Sequence, residues 1–283
     1  MKQRITTAIV VLALIIGVGL IAYPTISDWW NNLHQSRAIS SYIEAVNELS
    51  PEEYERIWND AVEYNESLLG QVQTFYLEGE ELEYYESQLN IEDNGIMGYL
   101  EIPTINVMLP IYHGLDEGIL QVAIGHMEDT SLPVGGESTH CVVSGHRGLP
   151  SARLLTDIDK MREGDLFMFH TLNEVLTYEV DQIRIVEPED TKDIQIIPGK
   201  DLATLVTCTP YGINSHRMLI RGHRVPTVAA DRVVSEAEQV SPFIVAATVG
   251  IPIMFIVLIV ALTVTRKNEA KKSLVKSAKE SQP

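Results

Sequence analysis

Two long apolar runs frame this chain and restrict what can lie between them. The first, Ile5 to Tyr23, is 19 residues long and nearly unbroken, preceded by Lys2 and Arg4 and ended by Pro24. A bilayer hydrocarbon core takes about 20 helical residues, so the length fits a span. The second, residues 243–264, carries no charge and is followed by Arg266, Lys267, Lys271, Lys272, Lys276 and Lys279. Basic flanks stay in the cytoplasm, so both termini are expected there and everything between is expected outside the cell membrane. The resulting layout is a cytoplasmic N-terminus over 1–4, a signal anchor over 5–23, an extracellular segment, a second span over 243–264 and a basic cytoplasmic tail over 265–283.

A cleaved signal peptide is the alternative for the first run. Its apolar region exceeds the usual length, and Leu20-Ile21-Ala22-Tyr23-Pro24 lacks a small-x-small cleavage pattern, which favours an uncleaved anchor. Charge agrees with the partition, since 13 of the 21 Lys and Arg and 37 of the 39 Asp and Glu lie between the runs, a formal charge near −24. Such a segment repels polyanions, which excludes nucleic acid as an expected partner and leaves lipid contact to the two spans.

The external segment divides by texture. Residues 24–93 are rich in Glu, Tyr, Leu and Ala and predict a helical extension of two or three helices. Ser50-Pro51-Glu52-Glu53 has the form of a capped helix start, with Ser at the N-cap, Pro in the first turn and Glu53 completing a capping box. Tyr54, Ile57, Trp58, Ala61, Tyr64 and Leu68 follow at helical spacing. The Glu-rich 78–86 stretch reads as a solvated helix face. From Asn94 to Pro226 the pattern changes to short β-branched runs separated by turn residues, "IMGYLEIP", "INVMLPIY", "THCVVSGH", "DLFMFHT", "VLTYEVDQIRIV", "ATLVTCT" and "RMLIRGHR". Seven or more such strands predict a closed barrel or a sandwich, interrupted by one helix over Ala152–Met161. Residues 227–242 form a linker to the second span.

Only two cysteines are present, too few for a disulfide scaffold. Cys208 ends the apolar run "ATLVTC" before a Thr-Pro-Tyr-Gly turn, a strand end where loops and substrates meet. His146 stands at the end of another strand, in "CVVSGHRG", and Arg217 opens the strand that follows the Cys208 turn. A nucleophilic thiolate needs a proton donor for its leaving group and a cation or donor for the developing oxyanion, and imidazole and guanidinium supply these. Each residue has a plainer reading: a small buried hydrophobe for Cys208, a turn residue for His146, a surface ion pair for Arg217.

The combination is more specific than its parts. Thr204-Leu205-Val206-Thr207-Cys208, Ser-Gly-His146-Arg-Gly upstream and Arg217 nine residues downstream resemble the signature of sortases, the cysteine transpeptidases of Gram-positive surfaces. "SGHRGLPSARLLTDIDKMREGD", "TCTPYGINSHRMLIRGHR", the "GHMEDTSLPVGG" segment and the second span further resemble the pilus-assembling class C subgroup. The resemblance covers roughly Asn94 to Pro226 together with the membrane layout. It implies a mainly β fold, a closed sortase-type barrel with an N-terminal helical extension between two transmembrane helices. It also implies that Cys208 attacks the Thr carbonyl of an LPxTG-like sorting signal while His146 protonates the departing amine and Arg217 stabilises the tetrahedral oxygen. A lysine of another pilin subunit then resolves the thioacyl enzyme, with neither metal nor organic cofactor; attachment of surface proteins to a cell-wall precursor is the alternative within the family.

One departure stands out. Pilus sortases carry a lid with an Asp-Pro-aromatic tripeptide ahead of the barrel, and residues 65–94 contain none; Phe75-Tyr76 is the nearest aromatic pair. Cys141, expected to face away from His146, reads as a buried thiol, with a Cys141–Cys208 disulfide as the rival. His126, His216 and His223 read as structural or surface residues, with a place beside the groove as the alternative for His126. Asn214 and Ser215 are expected to shape the Arg217 turn. A zinc hydrolase using Cys141, His140, His146 and Cys208 lacks close ligand pairs such as H-E-x-x-H or C-x-x-C, and a non-enzymatic membrane scaffold leaves Cys208 without a task.

Overall fold

The computed structural model describes residues 2–228 and Gly250. The expected second span and basic tail lie outside the described residues but for Gly250. The chain divides into two compact units, one containing residues 1–29 and 237–283 and the other Trp30–Glu236.

Helix α1, Lys2–Glu48, begins in the first unit. There Ile5, Ile9, Leu12, Ile16, Leu20 and Ile21 are all more than half exposed. An apolar helix with none of this stretch buried matches the length and composition of a membrane span. One such helix is present among the described residues.

In the second unit the last turns of α1 are followed by α2, Pro51–Ser67, and α3, Glu80–Ser87. The Ser50 hydroxyl accepts from the Glu53 amide and the Glu53 carboxylate accepts from the Ser50 amide, so the capping box forms as the sequence predicts. Ala61 and Tyr64 of α2, Leu68 just past its end and Tyr85 of α3 pack into the main apolar core. Asn65 of α2 acts as a two-way clamp on the barrel, donating to the Leu132 carbonyl at 3.2 Å and accepting from the Leu132 amide at 2.7 Å.

Among the described residues, eight strands close a barrel in the order β1-β2-β3-β4-β7-β8-β6-β5. They are β1 Ile96–Ile102, β2 Val107–His113, β3 Ile124–His126, β4 Thr139–Gly145, β5 Leu166–Thr171, β6 Glu174–Val186, β7 Asp201–Thr209 and β8 His216–Val225. The closed form decides between barrel and sandwich. Strand β3, only three residues long, has no alternating pattern and is invisible to periodicity. Leu100, Ile111, Ile124, Val143, Phe167, Phe169, Leu205 and Ile220 fill the interior and are essentially fully buried. Two neighbours pair in parallel, β2 with β3 and β4 with β7, so β4 and β7 end at the same rim.

The helix expected over Ala152–Met161 does not form. That stretch is a series of turns ending in a single 3-10 turn, Ile158–Lys160. Leu154 adopts φ +38, outside the right-handed helical region. Ala152, Leu154, Leu155, Ile158 and Met161 are all buried, so the stretch fills the core through turns and keeps the apolar spacing of a helix without its backbone.

Candidate active site

Register brings the three expected site residues into one row. Strands β4 and β7 run parallel with Ser144 opposite Val206, and the same offset carried two residues on places His146, just past the end of β4, beside Cys208. Strands β7 and β8 run antiparallel with Cys208 opposite Arg217. Row partners in a sheet project to the same face. Ala203 and Leu205 of β7 and Met218 and Ile220 of β8 belong to the interior core, so Cys208 and Arg217, on the opposite phase of their strands, face outward.

Each residue is held by its own strand end. The Thr207 hydroxyl donates to the Gly145 carbonyl at 2.8 Å, tying the end of β4 to β7 directly beneath His146. The Leu155 amide donates to the His146 carbonyl at 3.2 Å. Gly148, at φ +78, lets the following loop approach Tyr211, whose ring would stand 2.7 Å from any added Cβ. The Arg217 guanidinium donates to the Asn214 and His216 carbonyls at 3.3 and 3.2 Å and has no carboxylate ion pair among the described residues. Asn214, at φ +60, and Ser215, bonded to His216, form the turn that the sequence predicts. Neighbouring cations are neutralised: Arg147 pairs with Asp159 at 2.6 Å and Arg221 with Asp181 at 2.9 Å. The charge of Arg217 is therefore available to a ligand.

The two cysteines occupy different surroundings. Cys208 is partly exposed and Cys141 is buried in the core, both as free thiols, so the disulfide does not form. Burial, with a smaller contribution from the charge of Asp201, pushes the Cys141 thiol well above its ordinary range. A thiol held neutral inside a core is a packing group.

Sequence reasoning missed the neighbours of the row. On the outer face, Val142, Val206, Leu219 and Ile194 form a separate apolar cluster beside Cys208, and Phe75 packs on it with Met127 and Val186. Phe75 belongs to the 68–79 connection between α2 and α3 and sits in left-handed backbone, φ +61. Carboxylates grip that connection: Asp129 accepts from the Thr74 and Phe75 amides, and Glu128 accepts from the Leu77 amide at 3.1 Å. An aromatic thus covers the patch although the Asp-Pro-aromatic tripeptide is lacking. Glu117, at the start of α4, Glu117–Leu120, also reaches the row, with its Oε1 3.5 Å from His146 Nε2.

Other histidines lie elsewhere. His126 is fully buried beside the Tyr85 hydroxyl and the Ser131 carbonyl, each 2.9 Å away, and does not border the groove. His140 lies 2.7 Å from the Thr204 hydroxyl and 2.8 Å from the Gln195 carbonyl. With Cys141 facing the interior, the four residues of the zinc reading do not converge, and among the described residues no group of three His, Cys, Asp or Glu has metal-holding geometry. His216 is a surface residue paired with Glu187 at 3.2 Å, and His223 is exposed.

Comparison with known proteins gives a consistent result. Residues 100–225 match a family described as Sortase domain. The chain is 34% identical over 131 residues to sortase D of Bacillus subtilis (strain 168), covering 45% of the chain and 63% of that protein. Among solved structures, sortase C1 from Streptococcus agalactiae superposes with a TM-score of 0.66 at 52% identity, over 68% of this chain and 100% of that one. Sortase C from Streptococcus pneumoniae, described in connection with pilin substrate specificity, gives 0.61 at 44% identity, over 68% and 98%.

Proposed function

The chain belongs to the sortase family, and from that premise we infer that it is a membrane-anchored cysteine transpeptidase of the pilus-assembling class. It takes a pilin with an LPxTG-like sorting signal, cleaves between Thr and Gly, and joins the Thr carbonyl to a lysine amine of a second pilin. The barrel stands outside the cell between two membrane spans.

The reaction follows from the row of three side chains. The Cys208 thiolate adds to the Thr carbonyl carbon, and the electron pair moves to oxygen, where Arg217 balances the new charge. Collapse expels the glycine amine, which takes a proton from the His146 imidazolium and leaves with the C-terminal fragment. A thioester remains. The incoming lysine amine attacks it, gives a proton to His146, and releases Cys208 as thiolate with an isopeptide bond formed. Amine must outcompete water at the thioester stage, which favours a groove that excludes solvent, and the Val142, Val206 and Leu219 patch offers such a surface to the apolar residues of the signal.

The alignment of His146, Cys208 and Arg217 on one outward row is the observation that carries this reading. Its test supplies the full-length protein in detergent with an LPxTG-like peptide and two competing acceptors, a lysine-bearing pilin peptide and triglycine. The expected product is the isopeptide-linked conjugate. Exclusive transfer to triglycine points to cell-wall attachment instead, and recovery of unchanged peptides rejects transpeptidation.

A further inference from the structure

Nothing in the three-residue row explains why the His146 imidazole is oriented as it is. Its Nε2 atom is buried and makes no hydrogen bond among the described residues. The carboxylate of Glu117 stands opposite it, Oε1 3.5 Å from Nε2. This is a charge contact, beyond good hydrogen-bonding distance.

The Glu117 carboxylate, though largely exposed, has a neighbour that orients it, and its element is anchored. Gln121, one turn on, donates to the same Oε1 at 2.5 Å. The turn leading into α4 is pressed against β3, since a Cβ on Gly125 would stand 2.0 Å from the Gly114 carbonyl oxygen. Beyond α4, Gln35 of α1 donates to the Val122 carbonyl at 2.6 Å. The short element is thus anchored on both sides, and the Gln121 hydrogen bond orients its carboxylate toward one imidazole nitrogen.

On the reading of His146 as the proton donor, we propose that Glu117 is a positioning residue that holds the His146 Nε2–H and leaves Nδ1 as the nitrogen that exchanges the catalytic proton. An imidazole flanked by a carboxylate keeps the proton on the facing nitrogen in both its charged and neutral forms, so the other nitrogen does the chemistry. In the acylation step Nδ1–H passes its proton to the departing amine, and Nε2–H stays against Glu117 throughout. In deacylation Nδ1 recovers a proton from the lysine amine, and no proton is lost in the cycle.

Among the described residues, the ion pair of His146 is with Glu117. Glu117 approaches from α4, Cys208 from β7 and Arg217 from one strand beyond on β8. In the loop of His146 itself Arg147 is neutralised by Asp159. Glu117 is thus the carboxylate that faces the ring, and its own carboxyl is held below the usual range, first by the Gln121 hydrogen bond and then by the His146 charge.

The decisive measurement is nitrogen NMR of selectively labelled histidine in full-length Cys208→Ala protein, which reports His146 whether or not turnover occurs. Neutral His146 is expected as the Nε2–H form, with the Nδ1–H form gaining population in Glu117→Gln and receding again in Glu117→Asp. The kinetic counterpart, in protein carrying Cys208, is a lower kcat in Glu117→Gln with KM little changed. A neutral Nδ1–H form overturns the proposal, and so does a tautomer balance that Glu117→Gln leaves unmoved in protein of equal thermal stability. Absence of activity in the parent protein with the expected NMR result would count against the transpeptidase reading alone.

Discussion

Cys208 and Arg217 are direct register partners across the antiparallel pair β7 and β8, on the outward face of the barrel. That pairing sets a guanidinium beside a thiol through backbone hydrogen bonds rather than through side-chain reach. On the proposed mechanism it is a rigid way to locate a charge where an oxyanion would develop, because the two strands share a continuous ladder from Leu202 and His223 to Thr209 and His216.

The charge alone is not sufficient for the role. Arg217 directs its guanidinium by donating to the Asn214 and His216 carbonyls, and lysine lacks a planar fork to keep that geometry. Arg217→Lys is expected to lower kcat by about 10² to 10³, the range found for loss of an oxyanion-stabilising donor, with thermal stability unchanged. Steady-state kinetics on a fluorogenic LPxTG-like peptide checks this.

Phe75 covers apolar surface beside Cys208, so removing its ring exposes that patch. Phe75→Ala is expected to speed alkylation of Cys208 by a thiol reagent and to raise peptide cleavage. Asp129→Asn, which weakens the acceptor for the Thr74 and Phe75 amides, is expected to act in the same direction with smaller effect. Alkylation rates unchanged in both variants would separate Phe75 from access to the thiol.

Gly148 meets two demands that no other residue satisfies together. It has left-handed backbone and contacts the Tyr211 ring. Gly148→Ala must displace the loop that begins at His146 and is expected to reduce kcat strongly at a stability loss of about 1 to 3 kcal/mol. Adding Tyr211→Ala relieves the collision and leaves the backbone strain, so recovery is partial. Thermal melts and kinetics of the two variants distinguish the contributions.

Stability should fall on acidification before the carboxylates titrate. Burial lowers the pKa of His126 to about 3 and that of His140 to about 4, from the usual 6.5. The unfolded chain then binds protons that the folded one refuses, so the stabilising contribution is complete above about pH 6.5 and is lost as pH drops towards those values. Each imidazole contributes about 1.4 kcal/mol per pH unit within that window. Denaturant unfolding between pH 7 and 5 is expected to show this slope, and His140→Asn should reduce it by one proton's worth.

Much of this arrangement was legible in the chain. Alternating β-branched runs and turn residues announced seven of the eight strands, and the capping box at Ser50 marked the start of α2 to the residue. The placement of Cys208, His146 and Arg217 at three strand ends was readable because strand ends coincide with turn signals. What failed depended on tertiary context. Strand β3 is too short for periodicity to register, and the buried side chains of 152–161 mimic a helix while Leu154 breaks one. Glu117 and Phe75 carry no local signal: one reads as a surface acid and the other as a loop aromatic, and only folding brings each beside the row. No motif could have paired α4 with the end of β4.

The central claim is that Cys208 becomes the acyl carrier. Intact-protein mass spectrometry of the full-length enzyme, incubated with an LPxTG-like peptide and no acceptor, tests it most directly. The predicted result is a mass increase equal to the peptide through its Thr residue, mapped to Cys208, retained in Cys141→Ala and absent in Cys208→Ala. An adduct on Cys141, or a cleaved peptide with Cys208 replaced, would contradict the account.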